Sequence, residues 1–229
     1  MDAVSAALTI LRTTSLASVV SEEVTRMILS GELDAGQQIK EVAIAARLGV
    51  GRSSVREALR ALEEAGLVRI EKNRGAFVRV VTEAEANEMY VVRENLEGLA
   101  GELLAPRITE GELAELRERV DALDGYATHA DFDRYFPMNL KFHDRIFEMA
   151  GNRTLLDIYR RLTNELHTSR RRGLLRGGGL SVSNTEHRAI VEALATRDPA
   201  RAGAAMRHHV RSGGDRIIRA AAFADERAA

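Results

Sequence analysis

Three of the six histidines in this chain are placed so that they could bind one divalent metal ion. His143, His187 and His209 fall on three different predicted helices. Inward-facing imidazoles from three helices could surround one ion, because imidazole nitrogen is a good ligand for zinc and nickel. The sequence has no cysteine, so any metal would be held by histidine, carboxylate or amide groups.

Asn139 could add an amide oxygen to this set. It lies four residues before His143, so both side chains point from the same face of one predicted helix. His208 is rotated by about 100° from His209 and is expected to face solvent. A histidine on an apolar helix face is more often a hydrogen-bonded core residue than a ligand, and the spacing alone leaves that alternative open.

A second set of residues has the chemistry of a nucleic-acid contact. It lies in the first turns of a predicted helix that follows a tight turn at Gly49, and it comprises Arg52, Ser53, Ser54 and Arg56. Arginines and hydroxyls exposed at the start of a helix can bind phosphates and base edges in a major groove. The alternative is a helical hairpin that only packs.

A predicted β-hairpin follows this helix. Residues 67–70 and 76–80 have the apolar pattern of short strands, and the tip between them contains Arg74 and Gly75. Such a wing can reach a phosphate backbone or a minor groove. The charge supports DNA binding over simple packing, since residues 37–79 hold nine Lys or Arg against five Asp or Glu, a net of +4, while the whole chain is at −1.

The sequence therefore predicts a mostly α-helical chain with an N-terminal winged helix-turn-helix and a C-terminal antiparallel bundle of about six helices. We expect a loosely ordered arm over residues 1–15, the DNA-binding domain over 16–80 and the bundle over 81–229. Capping boxes are predicted to begin three bundle helices at Thr82, Thr109 and Ser183, and residues 171–181 are predicted to form a glycine-rich loop. No apolar run is long enough for a membrane span, and the absence of cysteine fits a reducing cytoplasm.

Several motifs of the first domain resemble the DNA-binding domain of GntR-type bacterial regulators. They occur in the family order as Gly31-Glu32-Leu33 with Gly36, LGVGRSSVREAL over 48–59, and NRGAFV over 73–78. Two departures are Gly51, where the family usually has Ser or Thr, and Val42, where some members have a DNA-contacting arginine. The contacts would then rest mainly on Arg52, Arg56 and the wing.

The second domain resembles the FCD effector domain of the FadR subgroup of that family. The motifs are Val92-Arg93 with 96–100, Asn139–His143, Gly151-Asn152, Glu186-His187, and Met206 with His209. The resemblance implies a buried divalent metal, zinc or else nickel or manganese, held by Asn139, His143, His187 and His209. The family usually has Asp where this chain has Asn139.

The resemblance also implies that Arg93 faces a cavity and pairs with a small organic acid. The alternative for Arg93 is a surface ion pair with Glu97, four residues later on the same helix. Three adjacent arginines, 170–172, are most simply a solvated helix end. The alternative for this run is a role in DNA contact or ligand gating.

Together these features predict a ligand-responsive transcriptional regulator, a repressor without enzymatic activity, which binds a pseudo-palindromic double-stranded operator as a homodimer. Its effector would be a small carboxylate. Two alternatives are a metal-dependent hydrolase with a DNA-binding appendage, for which Glu97 or Glu186 could serve as the general base, and a constitutive regulator whose bundle is purely structural.

Overall fold

The first unit is built on three helices whose apolar faces meet in one small core. In the computed structural model, which describes residues 15–174 and 179–225, the chain divides into two units after Val80. The helices of the first unit are α1 (Leu16–Ser30), α2 (Glu41–Leu48) and α3 (Arg52–Glu64). Their shared core includes Val20, Val24, Ile44, Val55 and Leu59. The arm predicted over residues 1–15 lies outside the described residues except for Ser15, which caps α1.

The turn between α2 and α3 follows from two glycines. Gly49 ends α2 with a φ of 65°, a left-handed conformation that glycine adopts without steric cost. Gly51 is the N-cap of α3 and supplies no side-chain hydrogen bond there. The turn between the two helices therefore lies where the sequence predicts it.

The wing contains one more strand than the sequence predicts. Strands β2 (Val68–Glu71) and β3 (Gly75–Val78) form the hairpin, and β1 (Gln38–Ile39) adds to its other edge, giving an antiparallel sheet in the order β1-β3-β2. A strand of two residues has too little alternation to be recognised from the sequence.

The second unit is all helical and has seven helices among the described residues. They are α4 (Glu83–Leu104), α5 (Glu110–Thr128), α6 (Phe132–Ala150), α7 (Arg153–Glu165), α8 (His167–Leu174), α9 (Gly179–Ala195) and α10 (Pro199–Asp225). The capping boxes at Thr82 and Thr109 are both present, with Glu85 and Glu112 as the reciprocal partners. The mostly α-helical fold with an N-terminal wing is confirmed.

The prediction for residues 171–186 is wrong in two respects. The predicted loop is largely helical, because α8 continues to Leu174 and α9 is already helical at Gly179; residues 175–178 lie outside the described part. Ser183 is buried inside α9, so it does not begin a helix. Its intended capping partner, Glu186, instead forms tertiary contacts with His209 and Arg216.

Helices α4 and α10 pack closely against each other, and this contact positions the site. At Gly101 of α4 an added Cβ would lie 3.0 Å from the carbonyl oxygen of Ala202 on α10. Glycine therefore permits an approach that a larger residue would hinder. None of the helices in the described part of the chain is both long and apolar enough to cross a membrane.

Candidate metal centre and nucleic-acid interface

Three imidazoles converge at the centre of the bundle. His143 lies on α6, His187 on α9 and His209 on α10, and all three are buried. The Nε2 atom of His143 lies 3.3 Å from Nε2 of His187 and 3.2 Å from Nε2 of His209. Two nitrogens bound tetrahedrally to one metal at about 2.0–2.1 Å would be about 3.3 Å apart. The spacing therefore fits a single ion.

Two of the rings have a glutamate carboxylate at Nδ1, the nitrogen that points away from the other imidazoles. Nδ1 of His143 lies 3.0 Å from Oε2 of Glu97, and Nδ1 of His209 lies 2.7 Å from Oε2 of Glu186. The His209–Glu186 contact is a hydrogen bond, whereas the His143–Glu97 contact is a close approach outside hydrogen-bond geometry. A carboxylate this close favours the tautomer with hydrogen on Nδ1, which leaves a lone pair on Nε2. In that tautomer the Nε2 atoms of His143 and His209, which lie 3.2 Å apart, both carry lone pairs, an arrangement that a bound cation would stabilise.

Burial keeps these histidines neutral. Loss of solvent lowers the pKa of His143 to about 4, against a favourable effect of Glu97 in the opposite direction. Burial also lowers the pKa of His187 and of His209. Neutral imidazole is the form that binds metals, so the site has ligand-competent rings at neutral pH.

Each carboxylate is itself held by an arginine. Arg93 and Glu97, both on α4 and both buried, form an ion pair with Nη2 2.6 Å from Oε1. Burial acts to raise the pKa of Glu97, but Arg93 and His143 hold it below its usual range. Arg216 pairs with Glu186 at 3.1 Å. For Glu186, burial also acts to raise the pKa, but His209, Arg216 and Ser212 lower it to about 2.

Asn139 is buried one turn before His143 on α6. Its Oδ1 has no hydrogen-bond partner among the described residues, and the same is true of Nδ1 of His187. An orphaned amide oxygen beside three converging imidazoles is an available ligand atom. His208, in contrast, is exposed on α10.

A small cavity adjoins the histidines. It has a volume of about 30 Å³, and its lining combines cationic and polar groups with few apolar ones: Tyr90, Arg93, Asn139, Arg170, Leu174, Ser183, His209, Gly213 and Arg216. Arg93 borders this cavity and also pairs with Glu97. Both residues are buried, so the pair is not the surface ion pair considered as the alternative for Arg93.

Arg170 and Arg216 line the cavity, a position that the main interpretation of the sequence predicts for neither residue. Arg170 belongs to the run predicted to be solvated, but it is 5% exposed. That expectation is wrong for Arg170, which is buried on α8 next to the buried Ser169. A run of arginines in the sequence does not by itself show whether one of its side chains is buried.

The two carboxylates considered as general bases are both occupied. Glu97 contacts Arg93 and His143, and Glu186 contacts His209, Arg216 and Ser212. A general base must reach the proton that it removes. Both groups instead orient the histidines, which is the role of a supporting ligand shell.

The arginines of the predicted recognition helix lie on its exposed side. The side chains of Arg52 and Arg56 are 59% and 57% exposed. Glu41, in the first turn of α2, lies 3.1 Å from Nε of Arg56 and 3.6 Å from Nη2 of Arg52. Ser53 is exposed and Ser54 is partly exposed at the start of the same helix.

The wing holds its arginine in a similar way. The side chain of Arg74 is exposed, forms an ion pair with Glu71, and its guanidinium carbon lies 5.5 Å from the centre of the Phe77 ring. Its carbonyl oxygen accepts a hydrogen bond from Nε2 of Gln38 at 2.7 Å. Gly75 has a φ of 98° and begins β3. The tip of the hairpin is thus fixed to β1.

Both units match known families. Residues 16–78 match the bacterial regulatory proteins of the gntR family, and residues 88–212 match the FCD domain. The chain is 32% identical over 212 residues to a proposed transcriptional repressor of a D-xylose utilisation operon in Paenarthrobacter nicotinovorans, a match that spans 92% of this chain and 91% of that protein.

Solved structures agree with this assignment of the fold. A proposed GntR transcriptional regulator from Rhodococcus sp. RHA1 superposes with a TM-score of 0.76 at 25% identity, covering 90% of this chain and 98% of that one. E. coli McbR/YncC superposes with a TM-score of 0.79 at 20% identity, covering 90% and 99%. At that identity the second likeness concerns the fold alone.

Proposed function

This chain belongs to the GntR family of bacterial regulators and carries an FCD domain, and on that premise we propose that it is a ligand-responsive transcriptional repressor. Its helical bundle would bind a divalent metal ion and a small carboxylate. The convergence of three buried Nε2 atoms next to a cavity is the observation that carries this proposal.

His143, His187 and His209 would hold the metal through Nε2, with Asn139 as a further ligand through its amide oxygen. Zinc is the expected ion for such a set, with nickel or manganese as alternatives. A bound metal would supply an open coordination position for an anionic ligand. The relation of the chain to a repressor of a sugar operon supports a sensory role for the bundle.

Arg93 is proposed to stabilise the bound acid from the wall of the cavity. It borders the cavity while its partner Glu97 contacts His143. A shift of the Arg93 guanidinium would therefore also alter the contact that orients His143. Ligand binding and metal binding would thus affect each other through one carboxylate.

On DNA, Arg52 and Arg56 would contact bases or phosphates, and Ser53 and Ser54 would form hydrogen bonds with the backbone or with bases. Arg74 with Gly75 would enter a minor groove. One module reads few base pairs. A homodimer on a pseudo-palindromic operator would double the contacts and match the protein's two-fold symmetry to that of the site.

The connection between the units is short enough to relay a change in the bundle. Strand β3 ends at Val78 and α4 begins at Glu83, and α4 carries both Arg93 and Glu97. If the acid binds one conformation of the bundle more tightly than another, it would shift the population toward that conformation. The DNA-binding units would then be held in a different arrangement in the dimer.

The test begins with selection of a binding site for the purified full chain from random double-stranded DNA. Fluorescence anisotropy would then measure operator affinity with and without metal, across a panel of short-chain carboxylates. We expect a change of about 5-fold or more for at least one acid, the lower range of a useful allosteric coupling. Unchanged affinity across the panel for metal-loaded protein would exclude carboxylate sensing and favour a constitutive regulator.

A further inference from the structure

The buried site has more positive charge than its carboxylates neutralise. Three guanidinium groups border the cavity, those of Arg93, Arg170 and Arg216. Arg93 is paired with Glu97 and Arg216 with Glu186. Arg170 has no carboxylate partner among the residues that the structure describes, although it is 5% exposed.

An unpaired buried cation is costly, because it has lost water without gaining a counter-charge. Burial and the neighbouring Arg93 lower the pKa of Arg170, although Tyr159, Tyr90 and the more distant carboxylate of Glu97 act in the opposite direction. A side chain in this condition, at the edge of a cavity, has the chemistry of an anion-binding group awaiting its ligand.

Resting on the proposed function, we propose that the effector carries two negative charges, with one carboxylate at the histidine site and a second anionic group paired with Arg170. The charge balance supports this. One unpaired guanidinium and a divalent metal would together leave three positive charges in the buried site. A monocarboxylate neutralises one of them, whereas a dicarboxylate neutralises two.

The size of the cavity limits the length of the acid. A volume of about 30 Å³ has room for roughly two water molecules. Malonate and succinate are larger than this space, so a dicarboxylate would have to be short, and the side chains that line the cavity would have to move apart to admit it. Arg93 and Arg216 contribute less to this preference, since each already has a carboxylate partner at 3.1 Å or closer.

Pairs of acids with the same number of carbons, one with a single carboxylate and one with two, test what the second charge contributes to binding. Metal-loaded full-length protein would be titrated calorimetrically with propionate and malonate, and with butyrate and succinate. We expect each dicarboxylate to bind about 10-fold or more tightly than its monocarboxylate partner, as a hydrogen-bonded charge pair with Arg170 would give.

Three variants then test the assignment to Arg170. Arg170→Gln should reduce the preference for the dicarboxylate to near unity while the affinity for the monocarboxylate stays the same, and Arg170→Lys should retain part of the preference. Arg153→Gln removes the same charge from a side chain that is 94% exposed, and it should change neither affinity. Metal content is measured for every variant.

If Arg170 only stabilised the fold, Arg170→Gln would lower the melting temperature and weaken the binding of both classes of acid equally. Arg170→Gln removes a buried charge without a carboxylate partner, so we expect the metal-free variant to unfold at the same temperature as wild type or higher. Equal binding of both acid classes by wild type, or an equal loss for both classes in Arg170→Gln, would overturn the proposal. If no acid of either class binds metal-loaded wild type, carboxylate sensing fails as a whole and this inference fails with it.

Discussion

Nε2 of His143 lies 3.2 Å from Nε2 of His209, while the opposite nitrogen of each ring faces a glutamate. With hydrogen on Nδ1, the Nε2 atoms of both rings carry lone pairs inside the bundle. From this relationship we expect about one divalent metal ion per chain in protein purified without a tag or chelator. The double variant His143→Ala/His209→Ala should lose the metal, and chelation should lower the melting temperature of wild type but not of the variant.

His208→Ala provides the matched control, because His208 is exposed and adjacent to His209 on α10. Elemental analysis by plasma mass spectrometry gives the metal content directly. Metal-free wild type, with no thermal shift on addition of zinc, nickel or manganese, would contradict the proposal and leave the three histidines as core residues.

Glu186→Gln should weaken metal binding without removing a ligand. The substitution replaces the carboxylate that lies 2.7 Å from Nδ1 of His209, so the ring loses its charged orienting partner. Loss of such a partner costs about 10–100-fold in metal affinity in known sites. Competition with a fluorescent chelator would measure the change.

The control is Glu102→Gln, which removes a carboxylate of α4 that pairs with Arg207. It should leave metal affinity unchanged. An unaltered affinity in Glu186→Gln as well would show that Glu186 serves only Arg216 and Ser212.

Asn139→Asp should increase metal affinity by about 10-fold or more, because a carboxylate replaces a neutral amide oxygen as the proposed ligand. The same variant should be less stable than wild type without metal, since the added charge is buried. Asn95→Asp makes the identical change on the exposed face of α4 and should alter neither property. A drop in affinity for Asn139→Asp would mean that Asn139 is not a ligand.

The metal-free protein should lose stability as the pH falls from about 6.5 to 4. The histidines of the site have lowered pKa values when folded, with that of His143 at about 4. Unfolded histidines take up protons near pH 6.5, so the unfolded state binds more protons in this range and is favoured. Glu186, with a folded pKa of about 2, adds a further loss below its unfolded pKa of about 4.3.

Urea unfolding of metal-free protein at pH 7.5, 6 and 5 measures this dependence. Replacement of His143 by Gln should make the dependence less steep between pH 6.5 and 5, because His187 and His209 remain, whereas His208→Gln should leave it unchanged. A free energy of unfolding that is constant from pH 7.5 to 5 in wild type would contradict the expected burial of neutral histidines.

On DNA, Arg56→Ala should cost about 1–3 kcal/mol of operator binding and relax sequence preference if Arg56 reads a base. Glu41→Gln should have the opposite effect on affinity, since it frees the Arg56 and Arg52 side chains from their ion pairs. Binding to unrelated DNA should also increase in that variant. Anisotropy titrations of the operator and of unrelated DNA at two salt concentrations distinguish a change in base recognition from a change in phosphate contacts.

Arg117→Ala removes an exposed charge on α5 and serves as the control for net charge. If Arg56→Ala binds the selected operator as wild type does, α3 does not present the proposed contact. If Glu41→Gln weakens binding, Glu41 orients the arginines for DNA and does not compete with it.

Local signals made much of the fold predictable. Thr82 and Thr109 form capping boxes because both partners lie within four residues of each other, so no distant contact is needed to define them. The failure at Ser183 has the opposite cause. Its hydroxyl and carboxylate have the same spacing, but Glu186 pairs with side chains of α10, which a local pattern cannot reveal.

The candidate site was predictable in its histidines and not in the groups around them. Asn139 and His143 are four residues apart, so they lie on the same face of α6, and both are buried. The sequence did not indicate that Glu97 supports His143, because the two residues are on separate helices and their contact depends on how α4 packs against α6. Arg170 was missed for the same reason, since its burial depends on the orientation of α8.

The short connection after the wing makes this chain a good parent for chimeric regulators. The backbone of Arg79 still donates to Leu67 at 2.9 Å, whereas Val81 is buried with Ala86, Tyr90, Leu166 and Val210 of the bundle. The capping box at Thr82 is complete within four residues. A crossover between Val80 and Val81 would therefore leave the hydrogen bonds at the start of α4 intact. It would allow a different DNA-binding domain to be fused to the same helical bundle.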